Sequence, residues 1–323
     1  SVIDGNGNKK DYFVDNNGQI ASIAEHNGNE AYLTEYGYNE IGELLSIRDS
    51  YGKTIKYSYD TLGNIRKLSD PDTGEIEYEY DSSGNVVSQK DNSKNTVKFE
   101  YDALNRPLKK KAGNYAVEYF YDKKKGELWK VKTDDYEEEY DYDNRLRVAG
   151  KTIKIDRHNF KTKYEYNSGG RLVRKTLPDW KKINYTYDEY GRLTGIPGIL
   201  DSADYTTFDY PKELEYSNAL KNTLEYDLLQ RVTHIAAGSA LDIKYYYDNN
   251  GNVIKIIDRG DTYNIGYDPL DRISETGGEK YMYDRLGNIL EMQDNGASFY
   301  YFYGNNQVHT PAAVRENKSK KNK

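Results

Sequence analysis

Cysteine is absent from all 323 residues, which excludes disulfides, thiolate metal sites and a cysteine nucleophile. The compartment stays open, because oxidising surroundings permit disulfides without requiring them. The four histidines, His26, His158, His234 and His309, are dispersed and form no His-x-x-x-His pair, so no metal signature arises from them. No run approaches the roughly 18 apolar residues of a membrane span. Ser1 to Asp11 has neither the basic start nor the apolar run of a secretion signal. No window combines helical periodicity with helix caps, so helix content is expected to be low. Aliphatic mass is short too: mean hydropathy is −0.98, and Leu, Ile, Val and Phe together reach only about a fifth of residues.

Such a composition by itself reads as disorder, and two features oppose it. A net charge of −7 is too small to swell a chain of this length, and 35 tyrosines recur at strand spacing. The stretch Tyr57-Ser58-Tyr59-Asp60-Thr61-Leu62-Gly63-Asn64-Ile65 shows the pattern. Two tyrosines two apart put both rings on one face of a strand. The aspartate can hydrogen-bond the backbone ahead of it, and glycine can take positive φ at the bend. Ile65 and Leu68 return the chain to extended structure before a second turn at Asp70-Pro71-Asp72-Thr73-Gly74. Tyr78 and Tyr80 then open the next copy. The unit is a β-hairpin.

Marking the second aromatic of each pair gives Tyr38, Tyr59, Tyr80, Tyr101, Tyr121 and Tyr142, spaced by subtraction 21, 21, 21, 20 and 21 residues. Tyr166 follows after 24 and Tyr187 after 21. Asp or Asn follows each, as in Asp60, Asp81, Asp102, Asp122, Asp143 and Asp188. The series continues through Phe208-Asp209, Tyr226-Asp227, Tyr247-Asp248, Tyr267-Asp268 and Tyr283-Asp284, and ends at Tyr303. A degenerate first copy lies at Val14-Asp15. The turns close with Gly63-Asn64, Gly84-Asn85, Gly251-Asn252 and Gly287-Asn288, or with arginine as in Asn105-Arg106, Gly191-Arg192 and Asp271-Arg272. A fixed period of this length marks a repeat architecture.

Two places depart from it. Gly195 to Tyr210 reads as an irregular loop, and beyond residue 304 a charged tail over 305–323 reads as disordered. The repeat segment thus spans 1–304. The chain starts inside the pattern and without methionine, which reads as a piece of something larger.

A copy of about 21 residues traces roughly 70 Å, two strands and two turns. About fourteen copies give roughly 28 strands, more than an open twisted sheet holds before it curls or closes. The ribbon must wind, either as a tight solenoid on its own tyrosines or as a hollow wall, with stacked tyrosine rungs joining neighbouring copies.

The reiterated Tyr-x-Tyr-Asp-x-x-Gly-Asn/Arg-Leu/Ile/Val, as in Tyr78 to Val86 and Tyr185 to Leu193, resembles the YD repeats of the RHS family. That family includes bacterial polymorphic toxins, wall-associated proteins, shell subunits of insecticidal toxin complexes and animal teneurins. The resemblance implies an all-β spiral forming a hollow shell, in the toxins around a C-terminal effector. It also implies a secreted or cell-surface setting. In the toxins an Asp-Pro-x-Gly segment supports release of the effector. Here Asp268-Pro269-Leu270-Asp271 has aspartate where that glycine belongs, and Asp70-Pro71-Asp72-Thr73 has threonine.

The chemistry reads as scaffold. A glycosidase needs two carboxylates at a set separation, one with a raised pKa, and here acids recur in every copy as turn formers. Asp248-Asn249-Asn250-Gly251-Asn252 has the oxygens of a calcium loop without the EF-hand spacing. Gly52-Lys53-Thr54 ends like a phosphate loop, but position 47 is isoleucine. The lysine-rich end is a solvated run and not a nucleic-acid arm. No cofactor is expected. The reading is a structural shell segment whose partner is an enclosed effector or the rest of the shell. The rival is a surface module whose tyrosines stack on carbohydrate.

Overall fold

The computed structural model describes residues 1–294, 296–304 and 309–318. Every regular element among them is a β-strand, 32 in all, and successive strands pair antiparallel within a sheet of 18 strands, a short pair (Thr186–Tyr187 with Leu193–Gly195) and a sheet of 12. The sheets are long and open, and none closes as a barrel. The chain divides into unit 1 (1–79, 89–94 and 245–323) and unit 2 (80–88 and 95–244).

The local device is the same in both units. Thr54–Tyr59 pairs with Ile65–Asp70 through Tyr57↔Leu68 and Ser58↔Lys67, then slips by one residue so that Tyr59 faces Ile65. The slip follows from the loop. Gly63 N donates to Asp60 O, Asp60 N donates to Asn64 O, and Gly63 sits at φ +83°. This is a type I turn followed by a left-handed residue, the three-residue hairpin with a bulge. The same slip precedes Tyr101, Tyr121, Tyr142, Tyr166, Tyr226, Tyr267, Tyr283 and Tyr303.

Burial alternates along strands as period-two patterning demands: in Gly74–Tyr80, Ile76, Tyr78 and Tyr80 are half-buried while Glu75, Glu77 and Glu79 are exposed. Among the described residues, only Ala24, Tyr32, Leu200 and Ala237 are buried apolar residues, and no large side chain is fully enclosed. Each unit is therefore a thin wall held by strand pairing and half-buried rings.

Within unit 1 the early strands meet the late ones edge to edge. Turns of an antiparallel ribbon alternate between its two edges, so the turns 4–8, 27–30 and 70–74 share one edge and the tyrosine–aspartate turns share the other, although Asp4 binds Asn6 N, Asn8 N and Asn8 Nδ2 just as the motif aspartates bind theirs. Asn6 Nδ2 donates to Asp248 Oδ2 and Asn250 Nδ2 to Asp4 Oδ2, both at 2.8 Å. Arg285 lies 3.9 Å from Glu30 and stands over the Tyr32 ring. His309 N donates to Asp72 Oδ1 at 3.3 Å. The edge that carries turns 4–8, 27–30 and 70–74 thus seats on the tyrosine–aspartate edge of the late strands.

Three expectations are corrected. The stretch 195–210 is not an irregular loop: Ile196 bridges to Leu200 around a tight turn, and Leu200–Tyr205 is a regular strand paired with Pro211–Tyr216. The copy there is consequently Tyr205-Thr206, three residues before Phe208-Asp209. Thr206 Oγ1 accepts from Phe208 N and Tyr210 N, the task aspartate performs elsewhere, and Asp209 takes the left-handed position at φ +64°. Part of the expected tail is a strand, Pro311–Lys318, which pairs with Ala297–Tyr303 because that strand's outer edge offers a free ladder. The remainder of the tail, 305–308 and 319–323, lies outside the described residues.

Candidate functional site: the tyrosine–aspartate turn

The repeated turn is where side-chain chemistry concentrates. In the turn 102–106, Asp102 Oδ1 accepts from Leu104 N at 2.9 Å and Arg106 N at 3.0 Å, while Oδ2 takes Arg106 Nε at 2.7 Å. Asp60 binds Leu62 N, Asn64 N and Asn64 Nδ2 in the same way. Arginine serves in the fifth position with Asp143, Asp188, Asp227 and Asp268, asparagine with Asp81, Asp248 and Asp284. Both residue types present a donor to the same carboxylate oxygen, which accounts for the Asn/Arg alternation in the sequence.

Two further bonds join one copy to the next. The motif tyrosine hydroxyl donates to the main-chain carbonyl of the residue directly after the preceding turn, at 2.6 to 3.1 Å. Tyr59 reaches Leu44, Tyr101 reaches Val86, and Tyr121 reaches Pro107. The fifth turn residue reaches forward: Arg106 Nη1 donates to Gly126 O at 2.8 Å, Arg272 Nη1 to Asp284 O at 2.9 Å, and Asn85 Nδ2 to Asn105 Oδ1 at 2.8 Å. The guanidinium groups of Arg106, Arg147 and Arg272 lie on the next tyrosine ring, at 4.2 Å for Tyr121, 4.5 Å for Tyr166 and 4.7 Å for Tyr283.

The expected stacked rung of tyrosines is therefore replaced by a different link. Motif tyrosines of successive copies are two strands apart, about 9.6 Å, too far for ring-to-ring contact. Arginine or asparagine fills that gap. The signal for this was the residue type after the turn glycine; what the sequence hid was its reach into the neighbouring copy.

The titration behaviour fits closed pairs. The side-chain bond from Asn64 holds Asp60 below the usual aspartate range, as Asn85 does for Asp81, Arg106 for Asp102 and Arg147 for Asp143. Burial pushes the Tyr59, Tyr101, Tyr121 and Tyr142 phenols up. The most buried acid, Glu138, is pushed up by burial but held below its ordinary value by Lys151, Tyr136 and Tyr140. Every carboxylate with a resolved shift is lowered, the opposite of what a general acid needs. Among the described residues no group of three or more His, Asp or Glu is placed to hold a metal ion. In the Asp248 turn, which has calcium-loop oxygens, Asn252 and Asn6 amides occupy Asp248 Oδ2.

Asp268, which precedes proline, is an ordinary member of the series: Oδ1 accepts from Leu270 N and Arg272 N, and Oδ2 binds Arg272.

Comparison with known proteins agrees with this wall of repeats. The chain superposes on a crystal structure of TcdB2-TccC3-Cdc42 with a TM-score of 0.82 at 15% identity, covering 92% of this chain and 20% of that one. It matches TcdB2-TccC3 without its hypervariable C-terminal region equally well, with a TM-score of 0.82 and 15% identity over 92% of this chain and 20% of that one. The Tc holotoxin pore of Photorhabdus luminescens gives 0.83 at 16% identity over 92% of this chain and 19% of that one. Teneurin-m of Drosophila melanogaster is 24% identical over 101 residues, 28% of this chain and 4% of that protein. This chain is thus about a fifth as long as the solved chains it resembles. The Teneurin YD-shell profile matches residues 2–124, 79–218 and 212–307. The chain belongs to the Teneurin YD-shell family.

Proposed function

We propose that the chain is a wall segment of a YD-repeat shell in a bacterial secreted or cell-surface protein, enclosing or presenting a C-terminal effector, and that it is not an enzyme. One observation carries the reading. The motif's polar groups are spent on the wall itself, the aspartate on its own turn and the tyrosine hydroxyl on the preceding copy. The spent hydroxyls of the second motif tyrosine favour a packing role for that ring over sugar stacking.

The test is protease protection in the full polypeptide that carries this chain. A C-terminal domain inside the shell resists digestion until the wall is unfolded. Digestion of that domain at the rate of the isolated domain would overturn the enclosing role.

A further inference from the structure

The turn 206–210 departs from the chemistry of the series at two positions together. Thr206 stands where aspartate anchors the turn, and Tyr210 stands in the fifth position, which arginine or asparagine fills in the copies described above. The two changes are linked physically. A threonine hydroxyl accepts from the turn amides but has no second oxygen to hold a guanidinium or an amide. The fifth residue is thereby released from its own turn, and only its reach to the next copy remains.

Tyr210 makes that reach with a ring. It packs on Tyr226, the motif tyrosine of the next copy, with ring centres 5.4 Å apart and planes at 38°. This is the place a guanidinium takes over Tyr121, Tyr166 and Tyr283. Tyr226 is held in position: its hydroxyl donates at 2.7 Å to the main-chain oxygen of Pro211, the residue directly after Tyr210. The ring carbons ortho to a phenol oxygen are those that couple when tyrosine is oxidised, and the bond to Pro211 draws that end of Tyr226 to the Tyr210 main chain. Both residues lie in unit 2, so the pair is internal to one wall.

We propose that Tyr210 and Tyr226 are an oxidative cross-linking site, coupled by peroxide into a dityrosine that staples two successive copies. Each phenol gives up one electron and its hydroxyl proton, and one peroxide takes up both pairs and leaves as two waters. The two radicals join through a carbon ortho to each oxygen. The hydrogens those carbons carried pass to the oxygens, which restores both hydroxyls. A chain without cysteine has no disulfide to serve this purpose, and an arginine on a tyrosine cannot couple. The staple closes a loop of the unfolded chain and so slows opening of the stretch it spans. The inference stands on ring geometry and is independent of what the wall encloses.

Peptide mapping of the whole chain tests it, after dilute treatment with hydrogen peroxide and a haem peroxidase. The monomer is isolated and digested with trypsin, which cuts after Arg192, Lys212, Lys221 and Arg231 and so puts Tyr210 and Tyr226 on separate peptides. The two peptides are expected to appear joined, at their summed mass less two hydrogens. Amide exchange between residues 205 and 232 is expected to slow in the cross-linked monomer. Tyr210→Phe keeps the ring and removes the phenol oxygen, and is expected to abolish the joined peptide. Tyr210→Arg, which restores the residue type of other copies, is expected to abolish it too, and circular dichroism confirms that each variant keeps its β signal. Tyr115→Phe, at an exposed tyrosine elsewhere in unit 2, is expected to match the native chain. A native monomer whose two peptides stay separate, a joined peptide that survives Tyr210→Phe, or a cross-linked monomer that exchanges as fast as the untreated one overturns the proposal.

Discussion

The Arg106 guanidinium lies 4.2 Å from the centre of the Tyr121 ring, one copy further along. The Tyr121 hydroxyl donates back to Pro107 O at 3.0 Å, beside that same arginine. This copy is therefore gripped twice by its neighbour, once through a ring face and once through a hydroxyl.

Separating the two grips gives the first prediction. Tyr121→Phe keeps the ring and loses the hydrogen bond, which costs about 1 kcal/mol. Tyr121→Ala loses both; because the ring is half-buried the cost is about 2 kcal/mol, below that of a full aromatic truncation. Stability in a repeat wall sums over neighbours, so amide exchange should quicken around residues 102–142 and stay slow near Tyr247. Faster exchange throughout would mean one cooperative core and would defeat the repeat account.

The second prediction concerns the exchange of arginine and asparagine in the fifth turn position. Both donate to the aspartate Oδ2, but only arginine also covers the next ring. Arg106→Asn should preserve the turn and uncover Tyr121, for a loss of about 0.5 to 1 kcal/mol. Asn64→Arg should keep the turn's bonds to Asp60 with little change in either direction. Paired thermal unfolding curves check both, and an equal loss at the two sites would deny the ring contact any part.

The fold was legible because its period was. Tyr59, Asp60 and Gly63 state strand, turn and bulge within five residues, and the statement recurs often enough that no local ambiguity matters. What stayed hidden depends on distances between copies. Thr206 could not be read as an aspartate substitute, because hydroxyl and carboxylate share only their acceptor role and Phe208-Asp209 offered a better match to the pattern. Asn6 reads as a turn residue; its bond to Asp248 spans 242 positions that no local spacing encodes. The strand Pro311–Lys318 carries no strand pattern of its own and exists through the edge it pairs with.

Leu146 supplies the third prediction. It holds the turn position that glycine fills elsewhere, at φ +61°, and its side chain is 52% exposed. An L-residue in the left-handed region costs about 1 to 2 kcal/mol, and the exposed leucine recovers little of that by packing. Leu146→Gly removes the strain and loosens the unfolded chain, leaving a net gain of about 0.5 to 1 kcal/mol. The melting transition should move up, not down. A fall on this substitution would mean that Leu146 makes a contact stronger than its strain.

Acid should loosen the wall turn by turn, and the sign follows from the aspartates. Arg106 and the turn amides hold Asp102 below its ordinary value of 3.8. A carboxyl depressed in the folded chain binds its proton more readily when unfolded, so it stabilises the fold fully above the unfolded value. That contribution fades as pH falls below about 4 toward the folded pKa. The same holds for Asp60, Asp81 and Asp143, so many small losses fall in one window. Asp102→Asn isolates the charge, since the amide oxygen still accepts the turn's two N–H groups, as Asn39 does from Ile41 and Glu43. The variant should melt below the native chain at pH 7, and the gap should narrow steadily between pH 4 and pH 2 as native Asp102 takes up its proton. Thermal unfolding followed by circular dichroism at stepped pH measures it. A gap that stays constant down to pH 2 would show that Asp102 acts through shape alone, and the charge pairing with Arg106 would then have no part in stability.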